Sequence, residues 1–265
     1  MLLAPGAVPA LILGAFGLLV GSFANVVIYR VPAGRSVVKP PSGCLSCGTR
    51  VRPFDNVPVI SWLVLRGRCR DCKAPVSPRY PAVEALVGVI YAVIGLRFGI
   101  SWTGVGEAAL AAGLVALAFI DFDHLLLPRK VVYATLTIVA VVLVAGTVSG
   151  DQWHRLLIAA LSAIVPWALF FAINFMSPKA LGFGDVRLAL LIGFGLGWLG
   201  AAYAFLGFII ASVLGSLVGV TMIALGKAGR RTPIPFGTFL ATGAVLSALC
   251  GAPVVNWYLS TMQVH

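Results

Sequence analysis

Four cysteines and two aspartates carry the chemistry that this sequence can do. Cys44-Leu-Ser-Cys47 and Cys69-Arg-Asp-Cys72 are two C-x-x-C knuckles with 21 residues between them. Two residues between cysteines let both thiolates face one ion from a tight turn, and two knuckles complete a tetrahedral four-sulfur set of the kind zinc prefers. Gly43, Gly48 and Gly67 stand where such turns need a permissive backbone. Four thiolates leave no open coordination position, so the expected zinc is structural. Two disulfides are the alternative pairing, and a reducing compartment disfavours them. Cys250 stands alone in an apolar stretch and reads as a small filler.

The chain has only eight acidic residues. Asp55 and Asp71 fall in a polar segment, and Asp151 and Glu107 fall near expected loops. Asp121 ends the apolar run 108–120, and Asp185 opens another after Gly182-Phe183-Gly184. A carboxylate inside a membrane span costs roughly 2.5–3.5 kcal/mol on insertion scales, so it needs a reason. Two carboxylates meeting in a partly dry site share a proton, and such a pair can activate water and protonate a leaving group. The plainer alternative is that each sits at the headgroup layer, Asp121 paired with Arg129 and Asp185 with Arg187 or Lys179. Asp123 competes with Asp121, but a two-residue step turns a helix by about 200°, so only one of them can face the site. Glu84, about one turn into its span, reads as an interhelical hydrogen-bond partner.

The elements that must position these groups are membrane helices. Of 265 residues, 60% are hydrophobic and 10% charged, and mean hydropathy is +1.03. Soluble domains carry about 25% charged residues. Eight apolar segments can be read, near 8–28, 81–100, 105–125, 131–148, 156–176, 186–205, 206–226 and 235–258. Gly197-Trp198-Leu199-Gly200 is the expected turn between the sixth and seventh. The N-terminus, with no basic residue before Arg30, does not read as a cleaved signal peptide. The expected fold is an all-α polytopic membrane protein of about eight transmembrane helices. Its divisions are a first helix (1–28), a cysteine-bearing insert (29–80) and a seven-helix membrane bundle with the aspartates (81–265).

The net charge of +11 invites a nucleic-acid reading, but the charge follows topology. With eight spans, all Lys and Arg except Arg97 and Arg155 fall on the side of the insert. The positive-inside rule then puts the insert in the cytoplasm and both termini outside. It also puts Asp121 and Asp185 on the cytoplasmic side at similar depth. No nucleic acid is expected as a partner; membrane lipid is.

Several further motifs resemble the bacterial prepilin peptidases. Gly21-Ser22-Phe23-Ala24-Asn25-Val26-Val27 with Arg30-Val31-Pro32 is similar to that family's first-span signature, and the two knuckles to its cytoplasmic zinc loop. Arg79-Tyr80-Pro81 to Glu84 resembles the loop's exit. Phe119-Ile120-Asp121-Phe122-Asp123-His124 with Leu126-Leu127-Pro128 resembles its first catalytic region, Gly182-Phe183-Gly184-Asp185 its GxGD motif, and Pro233-Ile234-Pro235-Phe236-Gly237 its late-chain motif. The resemblance runs almost end to end, with the motifs in order. It implies an aspartyl endopeptidase of the bacterial inner membrane that removes the short basic leader of type IV prepilin or pseudopilin precursors at the cytoplasmic face. It implies Asp121 and Asp185 as catalytic residues, with Gly182 and Gly184 supporting the catalytic loop. Many members also N-methylate the new N-terminus with S-adenosylmethionine. One departure is Arg129, where members often have Asp. Two other classes fit parts of the pattern. Intramembrane carboxylates and broken helices also mark ion-coupled transporters, though these place them at the midplane. Presenilin-like GxGD proteases lack a zinc loop and use a Pro-Ala-Leu motif; the one such tripeptide here, Pro9-Ala10-Leu11, opens the first span, far along the chain from Gly182-Phe183-Gly184-Asp185.

Overall fold

The computed structural model describes residues 6–178, 181–226, 229 and 234–262. Among the described residues ten α-helices follow one another: α1 (Ala7–Arg30), α2 (Ile60–Val64), α3 (Arg79–Phe98), α4 (Trp102–His124), α5 (Arg129–Gly150), α6 (Trp153–Met176), α7 (Phe183–Leu199), α8 (Ala201–Ala224), α9 (Phe236–Cys250) and α10 (Ala252–Met262). Two isolated antiparallel bridges, Gly43 to Arg50 and Arg68 to Pro75, are the β-type pairing among the described residues. All eight apolar segments expected from the sequence are helical. Six of them, α1, α3, α4, α5, α6 and α8, are long and apolar enough to cross a membrane. A seventh results if α9 and α10, bent by 75° at their junction, count as one broken span. The protein is a multi-pass membrane protein. α7 has 17 residues and is shorter than α8, which follows it directly with 24.

The boundary between α7 and α8 lies at Gly200, the last residue of the expected Gly-Trp-Leu-Gly turn, and not near residue 205. One residue suffices because Gly200 adopts φ +137, a conformation that a side chain would strain. Gly197 and Trp198 belong to α7 itself. Lys179, Lys227, Arg230, Arg231 and Pro233, used above for topology, pairing or motif, lie outside the described residues.

The chain forms two compact units, residues 1–100 and 101–265. In the first, α1 and α3 run together at short range. A Cβ on Gly21 would come within 2.7 Å of the Glu84 backbone, and one on Gly95 within 2.7 Å of Ala10. Lipid supplies no hydrophobic drive between helices, so such close backbone approach is what holds them. The Asn25 amide donates to the Tyr80 carbonyl at 3.0 Å across the same seam. In the second unit the core is built of Leu110, Leu114, Leu117, Leu188, Leu191, Ile192, Leu196 and Leu240. There α7 meets α6 through Gly193 and Gly197, whose missing side chains leave room for Ala163, Ser162 and Ala159. The buried Trp198 donates from Nε1 to Thr103 Oγ1 at 2.9 Å, tying α7 to the start of α4.

Candidate functional site

Asp121 sits three residues before the end of α4 and is only 5% exposed. The helix stops because Leu125 takes the left-handed conformation, with φ 51, and its N–H caps the Asp121 carbonyl at 2.8 Å. Asp123, two residues on, is exposed. The 200° helical step therefore separates a buried carboxylate from one on the surface.

The partner of Asp121 comes from the far end of the chain. The Thr238 amide donates to Asp121 Oδ2 at 2.8 Å, and Thr238 Oγ1 lies 3.3 Å from the same oxygen. Thr238 is in the first turn of α9, its amide shared between Asp121 and the Pro235 carbonyl at 3.2 Å, and amides at a helix start favour an anion. The Thr238 hydroxyl also donates to the Ala118 carbonyl at 3.0 Å. One hydroxyl proton thus has two acceptors. It can turn to Asp121 when that group is ionised, and to Ala118 when Asp121 carries its own proton.

Asp185 lies in the first turn of α7, its amide donating to the Gly182 carbonyl at 3.0 Å. Asp121 is close enough to act on it electrostatically. Gly182 has φ −69 and ψ 145, ordinary extended backbone, and a Cβ there would sit 3.2 Å from Asp185 Oδ2. A Cβ on Gly184 would come within 2.9 Å of Leu127, and one on Gly237 within 2.9 Å of Leu127 and 3.0 Å of Asp121 Oδ2. Leu127, in the turn after α4, therefore touches both glycine-bearing segments that flank the carboxylates. The Asn174 side chain, near the end of α6, donates to the Leu181 carbonyl at 2.6 Å and steadies the approach to Asp185.

Among the described residues neither aspartate forms an ion pair. Arg187 instead lies over the Phe183 ring, 4.6 Å from its centroid. Thr238, Leu127 and Asn174 were not singled out as site residues by the sequence. Thr238 directly follows the Pro-Ile-Pro-Phe-Gly motif and Leu127 is inside Leu-Leu-Pro, so motif adjacency was the available signal; for Asn174 it was an amide in an apolar span.

The cysteines form a separate constellation in the first unit. One ligand atom from each of Cys44, Cys47, Cys69 and Cys72 lies within 4.8 Å of the others, and the Cys44 and Cys72 sulfurs are 3.7 Å apart. Zinc–sulfur bonds of ~2.3 Å give a tetrahedron with edges of roughly 3.8 Å. The donor set therefore fits a metal ion. The knuckles repeat one geometry: Cys44 N–H to Thr49 O and Cys69 N–H to Ala74 O, both 2.9 Å. Gly48 and Lys73 take matching left-handed conformations, φ 73 and 61, after the second cysteine of each. Gly67 is left-handed too, at φ 66, while Gly43 is not among the positive-φ residues and forms the bridge to Arg50 instead. The Cys47 and Ser46 amides hold the Cys44 thiol down at about 6. The Ala74 amide pulls Cys72 down, but Cys47, burial and Cys44 outweigh it and push it up to about 12. Cys250 is exposed at the end of α9 and does not fill the core.

Glu84 accepts from the Val59 amide at 2.7 Å. It is a hydrogen-bond partner, though of the insert's backbone as well as within the helix pair.

These observations define a helical multi-pass membrane protein with a four-cysteine module and a buried aspartate within electrostatic reach of a second. The Bacterial Peptidase A24 N-terminal domain matches residues 15–98, and the Type IV leader peptidase family matches residues 108–220. The chain is 33% identical to the prepilin leader peptidase/N-methyltransferase of Stutzerimonas stutzeri, over 92% of this chain and 91% of that one. It is 38% identical to the protein of the same name from Myxococcus xanthus, over 84% of this chain and 66% of that one. The Bacillus subtilis protein of that name is 30% identical, over 94% and 97%. No solved structure matches. The chain belongs to the type IV leader peptidase family.

Proposed function

We propose that this protein is an aspartyl endopeptidase that removes the basic N-terminal leader of type IV prepilin-like precursors at the cytoplasmic face of the bacterial inner membrane. The observation that carries the reading is the buried Asp121, its Oδ2 held by the Thr238 amide, within electrostatic reach of Asp185. Asp121 and Asp185 share one proton. The ionised carboxylate takes a proton from the attacking water while the protonated one donates its proton to the carbonyl oxygen; the first then passes the water's proton to the leaving amine, and the second takes its own back from the gem-diol hydroxyl as the C–N bond breaks. Thr238 and the Gly237 backbone hold the Asp121 carboxylate in place at the start of α9. Gly182 and Gly184, on either side of Phe183, add no side chain of their own beside Asp185. The family name and the relatives' names support prepilin leader cleavage.

Cys44, Cys47, Cys69 and Cys72 hold a structural zinc in the insert 29–80, which a segment of that size needs in place of a large core. The relatives' names also support N-methylation of the new N-terminus. S-adenosylmethionine would supply the methyl group. Positive charge concentrated on the insert side supports the cytoplasmic orientation, and the partners are prepilin or pseudopilin precursors and lipid rather than nucleic acid.

Purified protein incubated with a prepilin and S-adenosylmethionine tests both activities at once. The expected product is lighter by the leader and heavier by one methyl group. An uncut precursor would refute the peptidase reading, and an unmethylated product the second activity alone.

A further inference from the structure

The insert between α1 and α3 contains a short helix built inside out. In α2, Ser61 is the buried residue, its hydroxyl donating to the Phe54 carbonyl at 3.0 Å. Trp62 turns back onto the insert, with Nε1 donating to the Val76 carbonyl at 3.0 Å and its ring against Gly67. The face left open carries Ile60, Leu63 and Val64, which are 58%, 61% and 70% exposed. A surface helix in water presents the opposite pattern.

The position of this helix along α3 explains the inversion. The Val59 amide is bonded to Glu84, five residues inside α3, roughly 8 Å along the helix axis from its start. Val59 and Ile60 also border an apolar groove of about 360 Å³ whose other walls include Leu18, Gly88, Val89 and Ala92. Gly88 lies roughly 14 Å from the start of α3, and Leu18 roughly 18 Å from the end of α1. Both helices are membrane-spanning by length and composition. Their hydrocarbon zone is ~30 Å thick, so these depths fall inside it. Two exposed cations, Arg66 and Arg68, follow α2 directly, and the segment 29–80 has ten Lys and Arg against two Asp.

We propose that residues 57–64 are immersed in the adjacent lipid leaflet. Ile60, Leu63 and Val64 lie among acyl chains, a chain fills the groove below Ile60, and Arg66 and Arg68 reach back to headgroup phosphates. The insert is then a membrane-anchored module rather than a wholly aqueous one. Apolar side chains on one face with cations beside them are the composition of an interfacial helix. The backbone of the segment meets its own partners, Ser61 N–H to Val57 O at 3.0 Å and Leu63 N–H to Val59 O at 3.1 Å, as lipid requires.

Hydroxyl-radical footprinting of the unmodified protein in lipid nanodiscs of phosphatidylglycerol and phosphatidylethanolamine tests this. Leu45 and Leu63 are comparable reporters, 72% and 61% exposed in the same insert. Leu63 is expected to be oxidised several-fold more slowly than Leu45; equal oxidation overturns the proposal. The occupant is identified with a photoreactive benzophenone amino acid in place of Leu63, with Arg50 as the control position. Adducts on phospholipid acyl chains at 63 and not at 50 are expected. Adducts at both positions alike, or crosslinks at 63 to an added precursor helix with none to lipid, overturn it.

Discussion

Thr238 donates its backbone N–H to Oδ2 of Asp121 at 2.8 Å, across 117 residues of chain. This bond fixes which carboxylate oxygen faces inward, and the hydroxyl of the same residue adds a donor that can be removed separately. Thr238→Val keeps the amide and loses the hydroxyl. The expected loss is about 1 kcal/mol of stabilisation, or roughly fivefold in kcat, with the melting temperature little changed. Thr238→Ser should restore the rate. An inert Thr238→Val, measured on a prepilin peptide, would remove the hydroxyl from the mechanism.

The two aspartates are expected to act as a unit. Asp121→Asn and Asp185→Asn should each lower cleavage by on the order of 10³ or more, since an amide neither takes nor gives the proton. The double variant should be no slower than either single one. Asp123→Asn should keep substantial activity, because Asp123 is on the exposed side of α4. An active Asp121→Asn beside a dead Asp123→Asn would mean that the wrong member of the Asp-x-Asp pair has been chosen.

Leu127 is a structural test of the same site. It is 8% exposed and packed against the positions of Gly184 and Gly237. Leu127→Ala should cost about 2–4 kcal/mol in stability. Gly184→Ala and Gly237→Ala push a methyl into the same leucine, so each should lower activity. If Leu127→Ala rescues either glycine variant, the steric account holds; additive losses argue against it.

The sequence made the carboxylates legible because a charge at the end of an apolar run is costly and therefore conspicuous. It made the cysteines legible because metal geometry imposes their spacing. Thr238 showed only as the neighbour of a motif, since its role exists only when α9 comes back to α4. The helices were legible for a similar reason: uninterrupted apolar runs of membrane length admit few alternatives. Their ends were less so. The run through α7 and α8 is apolar on both sides of Gly200; the glycines of Gly-Trp-Leu-Gly marked the region of the break, and the backbone conformation places it at Gly200. The last apolar segment reads as one span, yet it bends by 75° where Gly251 and Pro253 interrupt it.

The metal reading predicts about one zinc per purified chain. Cys44→Ser or Cys69→Ser should release the metal and loosen residues 43–76 in hydrogen exchange, while α4 to α9 stay protected. Full zinc retention in both variants, read by elemental analysis, would exclude the four-thiolate site.

The insert should also respond to acid. Arg70 grips Asp55 with contacts of 3.0, 2.9 and 2.6 Å, and this holds the Asp55 carboxyl below the usual range. A carboxylate depressed in the folded state stabilises it above the unfolded value of about 3.9, and the gain is lost as pH falls through the lower folded value. Protection of residues 53–73 should therefore decline below about pH 4. In Asp55→Asn that decline should be absent and protection lower at neutral pH. An unchanged acid response in the variant would assign it to other groups.

The brevity of α7 has a consequence for the lipid itself. Seventeen residues reach roughly 26 Å, less than the ~30 Å of an average hydrocarbon layer, whereas the 24 residues of its neighbour α6 reach roughly 36 Å. Its far end is tied to α8 by one residue, so the shortfall falls at the end that carries Asp185. Mismatch of this kind thins the surrounding bilayer or draws water into the gap. The enzyme would then be tuned to membrane thickness, with cleavage slowing as acyl chains lengthen in nanodiscs of graded composition. A rate indifferent to chain length would show that the recess is filled by protein rather than by a deformed leaflet.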